Sequence, residues 1–200
     1  MQERFLYALV TLLTPSEIWQ RLGGDGVMPS RSGCYGGDLL ILGGGRCVWD
    51  DINASLPWEG QVMAVNDIGM HYRGRIQHWV TMHAKFMQGW MHYRQNHSWG
   101  WGDKPVTHAH TDDMNIDCVW PLKNWAGGTS GLFACYVALM LGYSNIVLAG
   151  MPLTQDGRYL DAPFYGGEFT DPLAHWEWAR DNVFDGRVKS LSGRSKELLG

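Results

Sequence analysis

Cysteine, net charge and long hydrophobic runs are all scarce in this 200-residue chain, and each shortage removes a class of protein. The four cysteines (Cys34, Cys47, Cys118 and Cys135) stand apart with no C-x-x-C pair, which argues against a disulfide scaffold and for reduced thiols in a cytoplasmic setting. Sixteen Lys plus Arg against twenty Asp plus Glu leave a net charge of -4, so the chain is not held to nucleic acid by bulk phosphate neutralisation. Its longest apolar stretch, Phe5 to Leu13, falls well short of the about 20 residues that span a bilayer, and no small-residue cleavage site follows it. Neither a membrane span nor a secretory leader is expected.

What remains is a folded domain, at 45% hydrophobic and 18% charged residues, with a surplus of tryptophan. Eleven Trp exceed the needs of one core of this size, so some are expected at a binding face or at a subunit contact in a homo-oligomer. The segment 1–37 reads as an N-terminal helical part, with Thr14-Pro15-Ser16-Glu17 as a helix start, followed by a Gly-rich linker from Gly23 to Gly37. Residues 38–200 then alternate. Apolar runs at Asp38 to Leu42, Gln61 to Asn66, Gln77 to His83 and Asn145 to Ala149 read as buried strands, with a short strand at Asp117 to Pro121 and a last one at Arg187 to Ser190. Helices are expected over Val48 to Ser55, Ala84 to Arg94, Ser130 to Leu141 and Asp171 to Phe184. His92 to Asp117 has no clear period and reads as a lid loop. Strands that are apolar throughout, separated by helices, imply an α/β, Rossmann-like domain whose mostly parallel sheet carries helices on both faces. Ligands in such sheets bind beyond the carboxyl ends of the strands, here after Leu42, Asn66, His83 and Ala149.

Two glycine-rich segments occupy such places. Gly43-Gly44-Gly45 follows the first strand, where missing side chains would let backbone N–H groups approach a phosphate; the spacing is not G-x-G-x-x-G, so no dinucleotide cofactor is indicated. Gly127-Gly128-Thr129-Ser130-Gly131 precedes the apolar helix and gathers donors suited to an anion, or simply caps that helix. His108-Ala-His110 with Asp112 and Asp113 offers ligand types for a metal ion, but histidines in such a loop are more often solvated or hydrogen-bonded, and no metal is expected.

Residues 38–52 (DLLILGGGRCVWDDI), with Leu56-Pro57 behind them, resemble the opening strand and glycine loop of the bacterial sialyltransferases of glycosyltransferase family 42. Residues 128–150 (GTSGLFACYVALMLGYSNIVLAG) are similar to that family's Thr-Ser-Gly helix, Leu-Gly-Tyr turn and next strand, and Ala64-Val65-Asn66 stands where the family has a nucleotide-contacting Asn. A related pterin pyrophosphokinase-like family shares the signature. The resemblance implies a transferase using a nucleotide-activated donor, a glycosyl or comparable group, by direct displacement with no obligatory cofactor. It implies nucleotide contacts from Gly43, Gly44, Gly45, Asn66, Thr129, Ser130, Gly131 and Gly150. His175, or failing that His83, would be the base, and Tyr159 and Tyr165 would hold the departing phosphate. The chain departs from the family's Gly-Asn-Gly-Pro-Ser loop at Gly44, Arg46 and Cys47, and has Pro152 where an acidic residue is usual. The alternatives are a nucleotide or pyrophosphate transferase with Mg2+ on Asp112 and Asp113, or a nucleotide-binding protein without catalysis. The small size suits a phage or mobile-element protein.

Overall fold

A strand that is apolar at every position needs cover on both sides, and the sheet is built that way. In the computed structural model, which describes residues 12–97, 104–123, 129–154, 157–159 and 171–200, the order is α1 (Pro15–Arg21), β1 (Asp38–Leu42), α2 (Val48–Ala54), β2 (Gln61–Val65), α3 (Ile68–His71), β3 (His78–Thr81), α4 (Met87–Gln95), β4 (Val106–Ala109), β5 (Cys118–Val119), α5 (Ser130–Leu141), β6 (Asn145–Ala149), α6 (Leu173–Ala179), β7 (Val188–Ser190) and α7 (Gly193–Leu199). The seven strands form one parallel sheet in the order β5-β4-β3-β2-β1-β6-β7. Alternate residues feed two cores. Leu39, Ile41, Met63, Val65, Ile146 and Leu148 pack with α5 and α1 on one face, while Leu40, Leu42, Val62, Ala64 and Ala149 pack with Val48, Ile68 and Met87 of α2, α3 and α4 on the other. The expected α/β fold with helices on both faces is therefore present.

α5 is buried on nearly every side because it lies between the sheet and α1; the left-handed Gly142 ends it, at φ 106°. α1 begins in a capping box, with Thr14 Oγ1 accepting from Glu17 N and Glu17 Oε2 accepting from Thr14 N. The glycine-rich stretch behind it lies on the domain: Gly33 N and Tyr35 N donate to the last carbonyls of α5, and the Tyr35 ring stacks on Tyr143. Residues 1–11 lie outside the described residues.

The structure departs from the sequence reading in several places, among them the short helix α3 between β2 and β3. The expected lid contains an interior strand, β4. Its polar side chains are satisfied internally, Thr107 by the Asn115 carbonyl and Asp117, and His108 by His78 and Trp120. The expected helix from Asp171 to Phe184 is α6 continued by a π-helical turn over Arg180–Phe184, and α7 follows the last strand where no element was expected.

His78 and His108, both fully buried, lie in a hydrogen-bonded chain with one direction. Trp120 Nε1 donates to His108 Nδ1 at 3.1 Å, which puts the His108 proton on Nε2, 3.0 Å from His78 Nδ1. His78 then carries its own proton on Nε2, 2.8 Å from the Tyr143 hydroxyl, which donates to Gln61 Oε1. Every ring nitrogen is used with both imidazoles neutral, and a second proton on either would meet a donor. Burial, with the Arg31 charge, accordingly pushes His78 down to about 4; burial, with His78 and Arg31, holds His108 well below its ordinary value. An unfolded histidine titrates near about 6.5, so between there and about 4 the unfolded chain binds protons that the native chain refuses. Stability should be full above pH 6.5 and fall progressively towards pH 4, a loss that melting curves of wild type and a His78→Gln variant would read as shallower in the variant. A flat melting temperature across that window would contradict neutral core histidines.

Candidate functional site

The carboxyl ends of β1 and β6 approach closely because neither carries a side chain where they meet. Gly43 N donates to Ala149 O at 2.7 Å and Gly45 N to Gly150 O at 2.8 Å. A Cβ on Gly43 would lie 2.5 Å from Gly150 O, and one on Gly45 would lie 2.6 Å from the Pro152 ring. Gly150 takes φ 71°, which glycine adopts at little cost, and its N–H is held by Asp51 Oδ2 at 2.7 Å. That carboxylate, buried on α2, also accepts from Ser192 Oγ at 2.7 Å.

Above this junction opens a cavity of about 270 Å3. Gly43, Gly44 and Gly45 line it from behind β1, Asn66 from behind β2, His83 from behind β3 and Gly150 from behind β6. Thr129, Ser130 and Gly131 close it at the start of α5, and Pro172 and Trp176 at α6. The structure thus brings together all eight residues singled out for nucleotide contact, together with His83.

Asn66 sits in the left-handed region, at φ 57°. The indole of Trp79 donates to its carbonyl at 2.6 Å and the Thr81 hydroxyl to its Oδ1 at 2.8 Å, so the carboxamide is fixed in orientation. Thr81 Oγ1 also accepts from His83 N at 2.8 Å, tying the ends of β2 and β3 to one hydroxyl. Partial burial, and the Lys85 ammonium after it, lower the His83 pKa, which keeps this exposed imidazole neutral at pH 7. Thr129 Oγ1 caps α5 by accepting from Leu132 N at 3.3 Å.

Other candidates stand elsewhere. His175, on α6 one residue from the cavity-lining Trp176, is not itself in the wall. Its Nδ1 and the Trp176 Nε1 are buried without a hydrogen-bond partner among the described residues. The Tyr159 ring packs edge-on to Trp49 and His71, outside the wall. Tyr165, Gly127 and Gly128 lie outside the described residues. Asp112 and Asp113 follow β4 and do not line the cavity. No three His, Cys, Asp or Glu side chains converge as metal ligands among the described residues, and no helix among them is long and apolar enough to cross a membrane.

Gly43, Gly45 and Arg46 N–H donate to the carbonyls of Ala149, Gly150 and Gly157, so of the three loop glycines only Gly44 has an amide without a backbone acceptor among the described residues. Gly43 and Gly45 serve the close approach to Gly150. Sequence reading missed Asp51 and Thr81, which brace the strand ends, and Trp176, Asp67 and Arg158, which line the cavity. Their ordinary spacing carries no motif, though Asp67 stands directly beside Asn66.

No family model matches the sequence, and no curated protein does. Solved structures do share the fold. The sialyltransferase CstII from Campylobacter jejuni, in complex with cytidine-5'-monophosphate, superposes with a TM-score of 0.58 at 16% identity over 82% of this chain and 84% of that one. A CST-II structure with a trisaccharide acceptor and CMP gives 0.58 at 16% identity over 82% and 85%. The monofunctional α-2,3-sialyltransferase Cst-I from Campylobacter jejuni gives 0.56 at 15% identity over 86% and 80%. These bacterial neighbours lend no support to a phage source.

The loop geometry separates its three glycines. A Cβ on Gly44 would meet nothing closer than 3.7 Å, so Gly44→Ala should fold with a stability change of about 1 kcal/mol or less, whereas Gly45→Ala should cost about 1–3 kcal/mol through overpacking on Pro152 and Gly150. Denaturant unfolding of the two variants checks this, and equal costs would refute the described packing.

Proposed function

We propose that the cavity binds the nucleotide of an activated donor and that the protein transfers the activated group, of glycosyl type, to an acceptor hydroxyl. One observation carries this reading: the eight candidate contact residues converge at the carboxyl edge of a fold shared with sialyltransferases solved with CMP. Asn66, with Oδ1 committed to Thr81, offers its amide donors to a base or ribose. Ser130 and Gly131 at the start of α5 add a positive helix end.

The chemistry is a direct displacement. The acceptor oxygen attacks the carbon attached to the donor phosphate, the carbon–oxygen bond to that phosphate breaks, and the nucleotide leaves with the electron pair. His83 is the base this geometry favours, since it lies in the wall, is neutral at pH 7 and can take the acceptor proton. His175 is the second candidate, placed one helical position from Trp176. No metal ion enters this mechanism, and four free thiols suit a cytoplasmic setting.

A thermal-shift panel of CMP, UMP, GDP and AMP, with and without Mg2+, tests the reading first. CMP at about 100 times its Kd should raise stability by about 2.7 kcal/mol, independent of Mg2+. No stabilisation by any nucleotide would overturn the reading. His83→Ala should then keep donor affinity while turnover, followed by nucleotide release, falls roughly 10²- to 10⁴-fold. Full turnover in that variant would move the role of base to His175.

A further inference from the structure

Arg158 is the one Lys or Arg among the described residues that line the cavity, and its side chain is only 8% exposed. Its Nη2 reaches both carboxylate oxygens of Asp67, which is 3% exposed. The chain at 157–159 is pinned across the glycine loop by an antiparallel bridge between Gly45 and Arg158 and by Tyr159 N donating to Gly44 O at 3.1 Å. The guanidinium therefore stands over the middle of the loop, and a Cβ on Gly44 would lie 3.7 Å from Arg158 Nη2.

Two physical arguments give this placement a purpose. The Gly43, Gly45 and Arg46 amides are already spent on the backbone, which leaves the loop the Gly44 N–H alone, and the one full positive charge among the described residues of the wall is this guanidinium. A buried ion pair is also a poor stabiliser for its own sake, because desolvating both charges offsets most of their attraction. A guanidinium, however, spreads five donors over a rigid plane, so an oxygen anion can be met by the same group that Asp67 holds in place.

The geometry points to Arg158 as the anion-binding residue of this cavity, with Asp67 as its positioning residue and the phosphate of a nucleoside monophosphate as the anion. This assignment rests on the nucleotide reading above. Arg158 then also stabilises the leaving group. As the bond to the transferred carbon breaks, the phosphate oxygen gains negative charge beside a permanently charged donor that needs no reorganisation.

Calorimetric titration with CMP and with cytidine, which differ by the phosphate, isolates the contact. Wild type should bind CMP roughly 100-fold more tightly than cytidine. The double variant Asp67→Asn, Arg158→Gln replaces the ion pair with two amides and leaves no buried charge unpaired. Its preference should shrink below about 5-fold while its cytidine affinity stays within about 2-fold of wild type. Arg158→Lys keeps the charge without the fork and should fall between. A purely structural pair would lower the melting temperature and leave the ratio of the two affinities unchanged. That result, in a folded double variant or, should it fail to fold, in Arg158→Lys, overturns the assignment, as does a wild type that binds both ligands equally. A wild type that binds neither removes the nucleotide reading and this assignment with it.

Discussion

The contact on which the rest of the site depends is the side-chain-free meeting of β1 and β6. Gly43 and Gly45 donate to the carbonyls of Ala149 and Gly150, and Gly150 in turn donates to Asp51. With a Cβ on either loop glycine the two strand ends would separate. With them together, the start of α5, the end of β2 and the segment at 157–159 are brought around one cavity, and Ser192 before α7 is anchored to the same carboxylate. β2 lies beside β1 on one side and β6 on the other, so the chain leaves the sheet in opposite directions at this point, where open parallel sheets hold their ligands.

The parallel sheet also sorts the histidines. His78, at the first position of β3, and His108 on β4 are locked in a chain of one-proton hydrogen bonds that runs towards the opposite edge, through Tyr143 to Gln61 at the first position of β2. They are structural, and their protonation opposes folding. His83, just beyond the carboxyl end of β3, keeps contact with the cavity. Between these lies the difference between a histidine whose two ring nitrogens are both used inside the core and one that faces the cavity.

Much of this was legible in the sequence. Continuous apolar runs fixed both the strands and the two-sided burial, and the strand ends pointed to the cavity. β4 escaped because its Thr and His side chains look solvated until partners distant in the chain, such as His78 and Trp120, are known. The reason for Gly43 and Gly45 was also hidden: glycines after a strand look alike whether they face a phosphate or another backbone, and only their distances to Gly150 show the close approach. Asp67 and Arg158 are 91 residues apart, and no local pattern joins them.

The central claim is that a nucleotide occupies the cavity above the junction of β1 and β6. Trp176 supplies a reporter within its wall, since its indole N–H is buried without an acceptor among the described residues, while Trp120, whose indole is bonded to His108, supplies a control in the core. Titrating 15N-labelled protein with CMP, with the two indole signals assigned through Trp176→Phe and Trp120→Phe, should shift the Trp176 resonance in proportion to occupancy and leave Trp120 unmoved. A saturating nucleotide that leaves the Trp176 indole signal where it was would contradict the claim.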